Sequence, residues 1–179
     1  LSGPDERIST TRYDILRAQG KREEALKSLT DFNEKYSSPV VLTALGEHYL
    51  SEYEDSLALS SFEEALSADS SYLPAAFGKA ESYRITNSNS KFFPYLKGIV
   101  SDPSYPSGTK NMYLGNVLRA SDPKYIKAHE TQFDDVFDSF VAAHPEDTLA
   151  LSAAGSYYFT TGRSSKGTGL IRKASELDR

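Results

Sequence analysis

The sequence has no cysteine, so it can carry neither a disulfide framework nor a thiolate metal site. It has no apolar run near the roughly 18 residues that a membrane helix needs, and its mean hydropathy is −0.49; membrane insertion is not expected. A basic surplus is also missing. Twenty Lys and Arg face 25 Asp and Glu, for a net charge of −5, and nucleic-acid binders show a basic face, so nucleic acid is not expected as a partner. Runs of alternating β-branched residues are few, which argues against sheets. The first residue is Leu1, not methionine, which reads as a processed form or a segment of a longer protein.

What is present is a helical period. Apolar residues recur three and four apart, and punctuation interrupts them every dozen or so residues: Gly20, Ser37-Ser38-Pro39, Ser70-Ser71, Asn87 to Ser90, Asp102-Pro103, Asp122-Pro123, His144-Pro145 and Gly162. Asp122 before Pro123 is a cap followed by proline at the first helical position, and Ser90 and Ser164 are further candidate caps. About ten helices of roughly 11 to 20 residues are predicted.

The helices repeat. Leu45, Gly46 and Tyr49, followed by Ala58, Phe62 and Ala65, match the spacing L-G-x2-Y and A-x3-F of a 34-residue unit. Gly46 and Tyr49 are answered by Ala80 and Tyr83, by Gly115 and Leu118, by Gly155 and Tyr158, and, going backwards, by Tyr13 and Leu16. On these residues the chain resembles the tetratricopeptide repeat (TPR) family over nearly its whole length. The resemblance implies an all-α fold, a right-handed α-solenoid of about five helical hairpins at 9–38, 39–72, 73–105, 107–145 and 146–179, after an N-terminal tail at 1–8. Gly46 should face Ala58 where the two helices of a hairpin approach, offsetting the roughly 1 kcal/mol a helical glycine costs. Tyr13 breaks the small-residue rule, so the first hairpin is expected to splay or to cap the array. The fourth repeat carries a long second helix near 123–143. Gly167 and Gly169 should weaken the last helix, by about 1 kcal/mol each.

Chemistry-bearing patterns are weak throughout. Ser107-Gly-Thr-Lys110 has the S-x-x-K form without its companion motifs. His129-Glu130 begins like H-E-x-x-H, but residue 133 is Phe. His48, His129 and His144 read as solvated or capping. Asp134, Asp135 and Asp138 read as a solvated helix face, since calcium and magnesium want six or more oxygens from a shaped loop. Gly167-Thr-Gly169 lies inside a helix, where it cannot cradle a phosphate. No catalytic set, metal site or cofactor is predicted, and the protein is read as a non-enzyme.

The resemblance implies binding in a concave groove lined by the first helix of each hairpin. The register places Asp14, Glu47, Glu81, Asn116 and Ser156 in one row, and Arg17, Leu50, Arg84, Arg119 and Phe159 in the next, with Phe77 and Met112 one turn earlier. Asp14 should pair with Arg17 and Glu81 with Arg84, leaving Glu47 and Arg119 without partners. Leu50, Phe77 and Phe159 are the apolar anchors. The family's chaperone carboxylate clamp is not reproduced: its positions hold Thr10, Asp14, Ala44, Pro74 and Gly78, and Asp14 would repel a carboxylate. The reading is a non-catalytic scaffold that binds a protein, a peptide or a partner helix. The alternatives are a dimerisation or docking module of a longer bacterial envelope or regulatory protein, acting as a homodimer or through its C-terminal end, and a carbohydrate or small-ligand binder. An exported or periplasmic location is preferred to a cytoplasmic one.

Overall fold

In the computed structural model, which describes residues 5–178, the chain forms eleven helices and no strand among those residues. They fall into two compact units, Leu1–Asn89 and Ser90–Arg179.

The first unit carries α1 (Glu6–Ala18), α2 (Arg22–Tyr36), α3 (Pro39–Ser51), α4 (Asp55–Ala68) and α5 (Leu73–Ile85). Helix α1 starts inside the stretch predicted as a tail, because the Asp5 carboxylate caps it by accepting from the Arg7 N–H at 3.0 Å. Ser38 caps α3 ahead of Pro39. Left-handed backbone recurs at Gly20 (φ 77°), Tyr53 (φ 62°) and Asn87 (φ 54°). At Gly20 and Tyr53 it reverses the chain between the two helices of a hairpin, and only glycine adopts it without steric cost. The three positions repeat the register read from Gly46.

The side chain nearest to Gly46 is Phe62. A Cβ on Gly46 would lie 2.6 Å from the Phe62 ring, and one on Gly78 would overlap the same ring from the other side. Phe62, on α4, is fully buried with Ala58, Ala65, Leu42 and Ala75. The small residues of α3 and α5 thus form a slot for one aromatic ring, and Ala58 sits beside it. Tyr13 also departs from expectation. It is buried with Leu16, Ala25, Leu29, Val41 and Leu45, and its hydroxyl bonds His48 Nδ1 at 3.0 Å. The first hairpin is closed, because α3 supplies a polar partner for the one hydroxyl that a small residue would have lacked.

The second unit carries α6 (Asn89–Ser101), α7 (Ser107–Ala120), α8 (Pro123–Ala128), α9 (Glu130–Ala143), α10 (Thr148–Thr160) and α11 (Ser164–Leu177). Asp122 caps α8 through the Tyr125 N–H at 2.8 Å, as its place before Pro123 predicts. Ser90 and Ser164 are not caps: each lies within its helix. The long helix expected at 123–143 is interrupted at His129 (φ −116°, ψ 26°). There the imidazole Nδ1 bonds the Tyr125 carbonyl at 3.0 Å and the ring packs 4.3 Å from Tyr125 and 5.4 Å from Phe93.

Gly167 does more than weaken α11. It is buried, and a Cβ there would meet the Gly155 carbonyl oxygen at 2.6 Å and the Phe159 nitrogen at 2.7 Å. The pair lets α10 and α11 touch backbone to backbone. Gly169 meets nothing within 4 Å.

Candidate functional site

In the first unit, Asp14 and Glu47, predicted to line a groove, are exposed on α1 and α3. The expected Asp14–Arg17 pair does not form. Arg17 donates instead to the Tyr13 hydroxyl at 3.2 Å and to Ser51 Oγ at 3.0 Å, since the buried tyrosine presents its oxygen one turn away and α3 adds a second acceptor. Glu47 has no hydrogen bond or ion pair among the described residues. Although it reaches solvent, the flanking helices crowd it. Partial loss of water pushes its carboxyl above the usual range, Asp14 adds to the shift, and Arg17 opposes it. Glu81 and Arg84 do pair, with Nε to Oε2 at 2.8 Å. Leu50 is half-buried against the Phe62 cluster, so it belongs partly to the core; Phe77 is half-buried as well.

In the second unit, α7 and α10 face each other across a cleft of about 630 Å³. Leu114, Leu118, Ile126, Phe137, Ala153 and Tyr157 give it apolar walls, while Asn111, Ser152, Ser156 and Thr160 supply neutral polar groups. Arg119 is its one charged lining residue among those described; its guanidinium donates to Asn116 Oδ1. Met112 and Phe159 are 62% and 55% exposed and lie outside the lining. Of the residues the register predicts, Arg119 and Ser156 line this cleft, while its walls come in part from α8 and α9, the irregular pair.

A second cluster escaped the sequence reading. Lys110, set aside there as part of a chance S-x-x-K match, is fully buried. Its Nζ donates to the carbonyl of Val100 at 3.1 Å, to that of Asp102, and to His144 Nε2 at 2.7 Å. Ser107 Oγ donates to Asp147 Oδ2 at 2.7 Å, and Asp147 caps α10. The cation therefore sits on the negative end of α6 and ties α7 to the end of α9. Burial pulls both Lys110 and His144 below their ordinary values. One signal was available in the sequence: Lys110, Leu114 and Val117 share one buried face at helical spacing. His129 and His144 end α8 and α9 as capping residues, as expected, and are half-buried, whereas His48 is neither solvated nor capping. His48 is buried against Tyr13, and His144 is held by Lys110.

This arrangement sets a pH dependence. His144 accepts from Lys110 only when neutral, and His48 is also depressed, chiefly by burial. The unfolded chain therefore binds protons at pH values where the folded one does not. Stability is full above the ordinary histidine value of 6.5 and is lost as pH falls from there through the folded-state values. His144→Gln, which keeps an acceptor for Lys110, should flatten part of that fall. Urea midpoints at pH 7.5 and 5.5 check it, and an unchanged slope in the variant would remove His144 from the account.

Asp134 is half-buried and Asp138 is exposed on α9, and both are hydrogen-bonded. They accept from the hydroxyls of Tyr157 at 2.8 Å and Tyr158 at 2.7 Å, and from Arg163 and Lys166. Asp135 is exposed as well and pairs with Lys97. Burial drives both tyrosine hydroxyls far above their ordinary range, and with the rings buried neither is presented for stacking on a sugar.

No family model matches the chain, and no curated protein does. Among solved structures it is similar to MamA, a TPR-like protein. A double mutant of MamA RS-1 aligns with a TM-score of 0.57 at 16% identity, covering 99% of this chain and 97% of that one. MamA 41-end from Desulfovibrio magneticus RS-1 aligns at 0.55 and 16%, covering 99% and 98%. Another MamA crystal structure gives 0.53 at 12%, covering 93% and 94%. At these identities the likeness concerns architecture, and with the helix pairs and register above it establishes that the chain has the all-α helical-repeat fold of TPR-like proteins.

Proposed function

We propose that the protein is a non-catalytic scaffold that holds a peptide or a partner helix against the first helices of its hairpins. The observation that carries this reading is the α7–α10 cleft. A volume of about 630 Å³ with apolar walls and a few polar groups is the usual form of a ligand site, and an amphipathic segment laid into an apolar groove is a recurring mode of recognition. In the first unit, Glu47, Leu50, Phe77 and the Glu81–Arg84 pair are a separate candidate binding surface of that unit in this proposal. The polar side chains that could have suggested chemistry have partners: Lys110 with His144 and the end of α6, Asp134 with Tyr157 and Arg163, and Asp138 with Tyr158 and Lys166.

The test is a display library of random twelve-residue peptides, fused through their C-termini, selected on the wild type and on Ala153→Trp. Ala153 lines the cleft, and an indole there obstructs it. Recurrent sequences should be recovered on the wild type and lost on the variant, with the thermal melt of the variant showing that it remains folded. Equal recovery on both would place binding elsewhere.

A further inference from the structure

We infer that the occupant of the α7–α10 cleft is an apolar segment bearing an internal acidic side chain, whose carboxylate meets Arg119; this rests on the scaffold reading above. Other cations around this part of the unit are already matched: Lys127 with Glu130, Arg163 with Glu130 and Asp134, and Lys166 with Asp138. Arg119 forms no ion pair among the described residues. Its partner is the neutral Asn116 amide oxygen, which occupies one of its five donors. The rest of the planar fork is available for a carboxylate, the geometry in which guanidinium recognition is strongest.

The surroundings decide the sign. The cleft walls are apolar and its other polar groups neutral. A ligand covering them strips water from Arg119. A neutral segment would leave that charge without compensation, and a basic one would add repulsion; an acidic one restores the lost interaction. The carboxylate is a side chain within the segment, since a cleft open along α7 and α10 suits a segment that lies across it.

The library test extends to this directly, because its peptides have no free C-terminus. Selection on the wild type should enrich Asp or Glu at a fixed spacing from apolar residues; selection on Arg119→Glu should enrich Lys or Arg there. A synthetic amidated peptide from the wild-type pool should bind about fivefold more weakly when its Glu becomes Gln, read by fluorescence anisotropy, and that difference should vanish on Arg119→Gln. Apolar peptides recovered with no acidic preference, or with the same preference on all three proteins, overturn the assignment to Arg119 and leave the scaffold reading intact. Tighter binding of an acid-free peptide once it has a free C-terminus assigns the carboxylate to a chain end and overturns the inference too. No enrichment over Ala153→Trp removes both.

Discussion

Gly167→Ala should lower the unfolding free energy by about 3 kcal/mol, whereas Gly169→Ala, two residues along the same helix, should raise it by about 1 kcal/mol. The two glycines have the same intrinsic cost in a helix and opposite surroundings. A methyl at 167 collides with the Gly155 carbonyl and the Phe159 backbone, atoms that cannot step aside as a side-chain tip can, so α11 must move off α10. That movement loosens the contacts that hold the α10 tyrosines and Arg163 in their bonds to α9. A methyl at 169 meets nothing and simply reduces the freedom of the unfolded chain. Chemical denaturation followed by circular dichroism measures both. Equal effects of the two substitutions would show that the helices do not approach through Gly155 and Gly167.

Phe62→Ala should cost about 3–5 kcal/mol, the usual range for a buried phenylalanine. The ring has no exposed surface and lies between Gly46 and Gly78, so its loss empties a slot bounded by backbone on two sides, which collapses poorly. The companion substitution reports on the slot itself. Gly46→Ala adds helix propensity but drives a methyl into the ring, and overpacking of this kind costs about 1–3 kcal/mol. In a Phe62→Leu background that penalty should shrink, because leucine leaves room for the methyl. Additive effects of Gly46→Ala and Phe62→Leu would mean that the two residues do not meet.

The glycine pattern that identified the repeat and the packing that explains it are different kinds of information. Spacing of Gly46, Tyr49, Ala58 and Phe62 marks positions that share faces, because helical geometry fixes which residues point the same way. It does not say which neighbour fills the space above a glycine. Ala58 was the candidate by spacing, and the atoms nearest to Gly46 are those of the Phe62 ring, since a small residue makes room for a large ring nearby. The groove residues divide in the same way. Arg119 and Ser156 follow from register and do line the cleft, but Phe159 and Met112 lie outside it. Asp14 and Arg17 are correctly spaced for a pair, but Tyr13 and Ser51 compete successfully for the arginine.

Lys110 marks the limit of pattern reading. Its motif pointed to chemistry that the chain lacks companions for, while its position on an apolar helix face pointed to burial. Which carbonyls would receive the ammonium could not be read from either, because they come from the end of α6 and the start of α10 is tied in through Ser107 and Asp147.

The sequence alone determined the helical class, the period of about 34 residues and the faces each helix turns inward, because these depend on local geometry and on spacing along one chain. Only the tertiary structure decided which ring fills the glycine slot, where the buried cation finds its acceptors, and that the cleft with its lone arginine opens between α7 and α10. Those are contacts between segments distant in sequence, set by competition among side chains for the same space and the same hydrogen-bond partners.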